Sequence, residues 1–427
     1  MTNYHFTPTD AVLVAIDISK SRHEVLIAIP GKKRRKRMTV LSTKADYARL
    51  VFFLGGLGQP VRIGFEPTGN YHRTLAWQLH QAGFELRLIS SVALARTREA
   101  MFGTWDKNDP KDAQVILHML SLGQSQRFYD PLVEHINDIQ ELSKTHEIVS
   151  KAKTELWHRI QTHYMPLYFP EAERYKHRSR SGWLLNFLKT FPTPESITRY
   201  SKATFSKRAW DVVGRKVSKQ ALLNDIYDTA LESIGLPVGL ESTAITMFRM
   251  VLEEGLSLIR QRDEIERQAI ELLGDHPDFI RLQQIPGIGH IIALTILSEA
   301  GDLRRFKHHR QFLKFCGMNL STQQSGSFKG QTRLSKYGNA RLRRPFWMAG
   351  QVAIMQRENS FKDKFNRYVK NDRNNKDLRR KVYTAVAAKV ARIAYAIIKN
   401  NADYRPFFEA AIPGGRTSLC RAVEAPR

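Results

Sequence analysis

The amino-terminal third of the chain alternates short apolar runs with helix-like segments, and this alternation limits the folds open to it. Ala11–Asp17 is a β-branched apolar run typical of a buried central strand. Further strands are predicted at His23–Ile29 and Val61–Phe65, and helices at 42–55 and 71–82. Strands and helices that alternate at this length indicate an α/β sheet.

Carboxylates fall at the ends of these predicted elements. Asp17 closes the first strand, and Glu66 directly follows a later one. Pro110 suits the first position of a helix, so Asp109 is predicted as its N-cap and Asp112 as its third residue. Asp109 and Asp112 then face one side of that helix.

These four carboxylates admit two interpretations. A capped helix with an acidic first turn is common, and acidic residues often end strands. Carboxylate oxygens are also the ligands that Mg²⁺ prefers. Two such ions roughly 4 Å apart activate a nucleophile and stabilise the leaving oxygen in phosphodiester transfer. The residues alone leave both interpretations open.

The whole chain is strongly basic, with 67 Lys and Arg against 41 Asp and Glu and a net charge of +26. Such a field attracts polyanions, of which nucleic acid is the first candidate. The apolar runs are too short to span a bilayer and no signal segment opens the chain, so we expect a cytoplasmic, nucleoid-associated protein with no membrane partner. Two cysteines exclude a disulfide framework and a cysteine-based zinc site.

A basic run lies at the tip of a predicted hairpin whose second strand is near Met38–Leu41. The run is either a solvated loop or a finger that contacts phosphates. Its candidate nucleic-acid contacts are Lys32, Lys33, Arg34 and Arg35.

The middle of the chain predicts long amphipathic helices, because apolar residues recur at helical spacing in 130–164 and at every seventh residue in 240–273. Antiparallel pairing into a coiled-coil-like stalk is predicted, and this stalk is a candidate dimerisation region. Between the two segments, 169–217 is predicted to be a connector with short helices that can touch nucleic acid.

Two stretches of the carboxyl-terminal third can approach phosphates. Gly287 and Gly289 form a turn before an apolar helix, which either presents backbone amides to a phosphate or simply joins two helices. Residues 317–344 are small and polar with interspersed basic residues, which predicts a loop against a phosphate backbone, and a basic helix begins at about Asn339. Its candidate contacts are Lys329, Arg333, Lys336 and Arg343.

Three motifs together resemble the amino-terminal domain of the DEDD transposases of bacterial insertion sequences: D-I-S-K at 17–20, G-F-E-P-T-G-N-Y at 64–71 and K-N-D-P-K-D-A at 107–113. This resemblance implies an RNase H-like (RuvC-like) α/β domain. It also implies a magnesium-binding tetrad, with two ions per site, formed by Asp17, Glu66, Asp109 and Asp112.

The carboxyl-terminal third resembles the same family at Ser325-Gly326, Gly330, Leu334-Ser335-Lys336, Gly338-Asn339 and Leu342-Arg343. By itself Ser325 would be a turn residue. The resemblance makes it the nucleophile that joins covalently to DNA, with Ser327 a poorer second choice because no glycine follows it. The separation from the tetrad requires the two halves to meet, within one chain or between subunits.

The resemblance further implies a serine recombinase guided by a structured noncoding (bridge) RNA that the element encodes. Its expected partners are donor and target double-stranded DNA, the guide RNA, and further copies of the chain in dimers and tetramers. We expect a RuvC-like domain at 1–125, a helical connector at 126–275, a helical transposase domain at 276–400 and a disordered tail at 401–427.

We therefore expect an insertion-sequence transposase that exchanges DNA strands through a serine and a magnesium centre. Two alternatives remain. One is a magnesium-dependent Holliday-junction endonuclease without serine chemistry, and the other is a non-catalytic nucleic-acid-binding protein.

Overall fold

The computed structural model describes residues 11–103, 109–176, 182–214, 218–322, 324–325, 328–357 and 359–406. The chain divides into two compact units, Met1–His135 and Ile136–Arg427. Within the described part of the chain, no helix combines the length and apolarity that a membrane span requires. The predicted tail beyond residue 406 lies outside the described residues.

One mixed sheet forms the first unit. Its strands are β1 (Val12–Asp17), β2 (Arg22–Ala28), β3 (Lys36–Leu41), β4 (Val61–Phe65), β5 (Glu85–Leu88) and β6 (Gln126–Arg127). They lie in the order β3-β2-β1-β4-β5-β6. The pairs β1–β4 and β4–β5 are parallel, whereas β2 and β6 run antiparallel to their neighbours. This topology confirms the predicted RNase H-like fold.

Among its described residues, the first unit also contains the helices α1 (Lys44–Gly55), α2 (Tyr71–Gln81), α3 (Ser91–Phe102) and α4 (Asp109–Ser121). The side chain of Thr43 caps α1, which explains where that helix begins. Helix α4 begins at Asp109, one residue before the predicted first position. Helix α3 is absent from the predicted elements, because Leu94 is its only buried residue and no apolar period marks it.

Both faces of the sheet are covered, which explains why β1 is apolar almost throughout. Val12, Val14 and Ile16 point into the core shared with α1 and α2. Ala15 points to the opposite face, where it joins the core formed with α3 and α4. Helix α4 therefore packs against β1 on this second face.

The first half of the second unit is helical. It contains α5 (Asn137–Arg159), α6 (Met165–Tyr168), α7 (Trp183–Thr190), α8 (Pro194–Thr198), α9 (Lys202–Ala209), α10 (Lys219–Leu231) and α11 (Thr243–Leu273). A π-helical turn, Ile160–Tyr164, joins α5 to α6, and a 3₁₀ helix, Pro170–Tyr175, follows.

Helices α5 and α11 pack side by side in opposite directions. His146 contacts Glu266 at 3.4 Å, and Arg159 contacts Glu254 at 3.1 Å. The later residue of α5 contacts the earlier residue of α11, so the two helices are antiparallel, as the apolar spacing predicts. The predicted connector between them packs as well, since the aromatic side chains of α7 and α9 share a buried core with α11.

The rest of the second unit contains α12 (Pro277–Gln283), α13 (His290–Ala300), α14 (His309–Phe315), α15 (Ala340–Met355), α16 (Ser360–Val369) and α17 (Lys376–Lys399), with a 3₁₀ turn at Leu303–Arg305. Two-residue strands precede α15 in the described part of this segment: β7 (Leu320–Ser321), β8 (Gln324–Ser325), β9 (Phe328–Lys329) and β10 (Arg333–Leu334). Helices α13, α15 and α17 contribute much of the core.

Candidate active site

Asp17 and Glu66 leave the sheet at adjacent positions on the same edge. Strands β1 and β4 are parallel with Ile16 opposite Phe65, so the next residue of one strand lies beside the next residue of the other. Neighbouring strands are about 4.8 Å apart. Both carboxyl residues are half-buried. The register thus brings two of the predicted site residues together.

The turn after Glu66 is held by the start of α2. The backbone N–H of Tyr71 donates to the carbonyl of Thr68 at 3.2 Å. The ring of His72 packs against Phe65, with 5.8 Å between ring centroids. Burial lowers the pKa of His72, so the ring stays neutral near pH 7 and acts as an apolar support. This support ties Glu66 to the core of the sheet.

Asp112 is buried in the first turn of α4, with 1% of its surface exposed. Its Oδ1 accepts a hydrogen bond from Nη1 of Arg98 on α3 at 2.5 Å. Its Oδ2 is also buried and accepts no hydrogen bond from any described residue. An unsatisfied oxygen on a buried carboxylate is costly. A carboxylate oxygen of this kind is a donor that a hard divalent cation prefers, and a ligand role for Asp112 stays a prediction.

A glycine in the second motif lies close to α4. An ideal Cβ built on Gly64 would lie 2.6 Å from the side chain of Leu120. A larger residue in β4 would therefore require the Leu120 side chain of α4 to move.

The oxygen donors present fit Mg²⁺ in kind, since Asp17, Glu66 and Asp112 are all carboxylates. Asp109 begins α4, but its side chain lies outside the described residues. Among the side chains that are described, no three acidic, histidine or cysteine residues are placed closely enough to hold an ion. Asp112 is paired with Arg98 instead. The complete four-carboxylate centre stays a prediction.

Ser325 lies in the second unit on an exposed β-hairpin arm rather than in a plain loop. At the base of the arm, β7 pairs with β10, and further along β8 pairs with β9, with Ser325 opposite Phe328. The hydroxyls of Thr322 and Thr332 meet at 2.8 Å between these pairs. The alternative nucleophile Ser327 lies outside the described residues, as does the side chain of Lys329.

The basic residues that follow the arm are held by backbone contacts. Lys336 is exposed and adopts a left-handed conformation, with φ of 58°. Nη1 of Arg343 donates to the carbonyl of Lys336 at 3.2 Å. An ideal Cβ on Gly338 would lie 2.5 Å from the backbone nitrogen of Gly317, so this crossing requires glycine. Arg343 thus supports the arm, and a nucleic-acid contact by these residues stays a prediction, as it does for the exposed Arg333.

Asn339 joins the arm to the core. Its Oδ1 accepts the backbone N–H groups of Arg341 at 2.9 Å and Leu342 at 3.3 Å, which caps α15 where the basic helix was predicted to begin. Its Nδ2 donates to Oε2 of the buried Glu299 on α13 at 2.7 Å. The Gly-Asn pair of the motif is therefore explained by two structural roles. Gly338 allows its backbone to pass close to that of Gly317, and Asn339 caps α15 while it also binds Glu299.

The Gly-x-Gly turn has a structural explanation. Gly287 has φ of 89°, and a Cβ on it would lie 2.1 Å from the carbonyl oxygen of Ala349 on α15. Gly289 is the N-cap of α13 and has open space around it. Close helix packing thus accounts for Gly287, while a phosphate contact at either glycine stays a prediction.

The predicted basic hairpin is present in the first unit. Strands β2 and β3 pair antiparallel, and the segment between them is exposed. This exposed segment includes Lys32, Lys33, Arg34 and Arg35, whose contact with nucleic acid stays a prediction.

The sequence analysis did not identify two residues that support the predicted site residues, Arg98 and Glu299. Arg98 is one of several arginines in its region, and its partner Asp112 lies on another helix. Glu299 sits in an apolar helix, where a lone carboxylate among buried residues is the one signal that could have marked it.

Two segments of the chain, one in its amino-terminal half and one in its carboxyl-terminal half, match known families. Residues 14–170 match the DEDD transposase family of IS110 elements. Residues 280–366 match the transposase IS116/IS110/IS902 family.

Individual relatives cover most of the chain at low identity. The transposase for insertion sequence element IS1111A of Coxiella burnetii is 25% identical over 303 residues, which is 70% of this chain and 69% of the relative. The mini-circle putative transposase for IS117 of Streptomyces coelicolor is 22% identical over 343 residues, covering 74% and 78%. Among solved structures, Thermus thermophilus RuvC in complex with a Holliday junction substrate is 11% identical, covers 28% of this chain and 99% of its own, and has a TM-score of 0.21.

Proposed function

This chain belongs to the IS116/IS110/IS902 family of transposases and carries a DEDD amino-terminal domain, and from this premise we propose that it cuts and exchanges DNA strands through a metal centre and a serine. The proposed metal ligands are Asp17, Glu66, Asp109 and Asp112, and the proposed nucleophile is Ser325. The observation that carries the metal centre is the buried Oδ2 of Asp112, which no described residue satisfies.

The exposed position of Ser325 supports its role as nucleophile. In the proposed step its Oγ attacks the phosphorus of a DNA phosphodiester, an Oγ–P bond forms, and the P–O bond to one deoxyribose breaks. The serine proton is transferred overall to the departing deoxyribose oxygen. A hydroxyl of the other DNA strand reverses the step, so the exchange conserves the number of phosphodiester bonds. Bound magnesium would stabilise the negative charge on the transferring group.

We also propose that an RNA encoded by the element guides the choice of donor and target DNA, and that the chain acts as a dimer or tetramer. Two features support a large polyanionic partner: the net charge of +26, and the exposed run at 32–35. Purification from cells that carry the native element, followed by sequencing of bound RNA, tests the guide. One discrete transcript from the flank of the element would support it, and random fragments would contradict it.

The nucleophile is tested in cells that carry the native element with its flanks. We expect Ser325→Ala to abolish both the exchange junction, detected by amplification across it, and the covalent protein–DNA species on denaturing gels. Ser321→Ala is the matched control, because Ser321 is an exposed serine on the same arm. Normal exchange by Ser325→Ala would overturn the serine mechanism and favour a magnesium-dependent junction endonuclease. Normal exchange by Asp17→Ala would contradict the metal centre, and normal exchange by both variants would favour a non-catalytic binding protein.

A further inference from the structure

Arg98 makes an incomplete ion pair with Asp112. The side chain of Arg98 is 12% exposed and that of Asp112 is 1% exposed, so solvent screens the contact weakly. One guanidinium nitrogen, Nη1, contacts one oxygen, Oδ1, at 2.5 Å. Nε of Arg98 and Oδ2 of Asp112 are both buried and have no hydrogen-bond partner among the described residues. The two groups are therefore close but only half satisfied.

A second arginine–aspartate pair in the same unit, in which Asp130 is buried and Arg73 is 23% exposed, shows the complete arrangement. Nε of Arg73 donates to Oδ2 of Asp130 at 2.7 Å, and its Nη2 donates to Oδ1 at 3.2 Å. The backbone N–H of Leu132 also donates to Oδ1 at 2.9 Å. Both oxygens of Asp130 are thus satisfied, as expected for a purely structural pair. Asp112 differs in that one oxygen is left open.

Removal of one partner from a buried ion pair leaves an uncompensated charge and is strongly destabilising. For Asp112 two kinds of cation can provide that compensation, the guanidinium on Oδ1 and a divalent cation on Oδ2. The cation would use the oxygen that the guanidinium leaves free, so neither would have to displace the other. Without metal, the guanidinium of Arg98 is the compensating group.

We propose that Arg98 is a positioning residue that holds Asp112 by Oδ1, compensates its charge in the metal-free protein, and leaves Oδ2 to the divalent cation. This inference rests on the proposed metal site at Asp112. It implies that a bound cation can replace Arg98 in stabilising the first unit, whereas no cation can replace Arg73.

The test is thermal unfolding of the full-length protein with MgCl₂ and with a chelator. For metal-free Arg98→Met we expect a loss of about 10 °C in Tm, because a buried carboxylate loses its partner. Saturating Mg²⁺ should restore at least half of this loss. Arg73→Met is the matched control, with a comparable loss that Mg²⁺ does not restore. Equal responses to Mg²⁺ in these two variants would overturn the inference.

Further variants separate this inference from the metal site itself. If wild type and Asp112→Asn respond equally to Mg²⁺, the proposed site at Asp112 fails. If wild type responds more than Asp112→Asn while Arg98→Met behaves like Arg73→Met, only the role of Arg98 fails. Should Arg98→Met not fold without metal, it is purified in Mg²⁺ and then chelated. Unfolding on chelation supports the inference, and failure to fold even in Mg²⁺ contradicts it.

Discussion

Replacement of Asn339 by alanine tests how the β-hairpin arm that carries Ser325 (the serine arm) is anchored to the helical core of the second unit. One side chain makes three hydrogen bonds there, two to the amino terminus of α15 and one to the buried carboxylate of Glu299. Asn339→Ala removes all three without a change in charge. We expect the second unit to be destabilised and the amides of α15 to lose protection.

The magnitude follows from the contacts. Loss of an N-cap costs about 0.5–2 kcal/mol, and loss of a hydrogen bond to a charged group costs about 1.5–3 kcal/mol. Arg341 stays 2.8 Å from Oε1 of Glu299, although at an angle that makes no hydrogen bond, and so partly compensates the carboxylate. We therefore expect a total loss of about 2–4 kcal/mol for Asn339→Ala.

Asn375 provides a matched control because it caps α17 in the same way at the surface. Its Oδ1 accepts the backbone N–H of Leu378 at 2.9 Å, and its Nδ2 donates to the exposed Asp372 at 2.9 Å. Asn375→Ala should cost only about 1 kcal/mol, since water replaces the second contact. Asn339→Asp keeps the cap but turns a carboxylate toward Glu299, so it should also be destabilised.

The assay is equilibrium unfolding in urea combined with hydrogen exchange of α15. A loss for Asn339→Ala that is no larger than that of Asn375→Ala would refute the reasoning. So would an Asn339→Asp variant as stable as wild type, because two carboxylates cannot approach there without cost.

Three further predictions concern packing and charge, each checked by thermal unfolding. Gly287→Ala should cost more than about 2 kcal/mol, because its Cβ would strike a backbone carbonyl of α15, whereas Gly289→Ala, with open space, should be tolerated. Gly64→Val should cost about 1–3 kcal/mol by displacing Leu120, and Leu120→Ala should recover part of that loss. Burial and neighbouring cations lower the pKa of Lys364 from 10.5 to about 8. Lys364→Met should therefore stabilise the folded protein at pH 7, and this gain in stability should shrink between pH 8 and 10.5. A gain that stays constant over this pH range would contradict the prediction.

The strands and their closing carboxylates could be predicted because the signals are local. A buried strand such as β1 must be apolar along most of its length, and a carboxylate directly after it must lie at the sheet edge. The start of α15 at Asn339 was visible for the same reason, as a capping residue before a helical segment. The parallel register of β1 and β4 then follows from the fold that the motifs imply.

Other features could not be predicted because their signals are weak or distant. Helix α3 buries a single apolar residue and so shows no period. The serine arm is built from two-residue strands, which are too short for alternation to appear. Its hairpin form depends on pairing across the arm rather than on composition.

By itself the sequence determined the α/β topology, the carboxylates at the sheet edge and the basic character of the surface, because periodicity and charge are properties of neighbouring residues. Only the tertiary structure decided that Asp112 is buried, that Arg98 satisfies one of its oxygens and leaves the other open, and that Asn339 binds Glu299. These contacts join residues on different helices. Their energy depends on burial and direction, which no local pattern specifies.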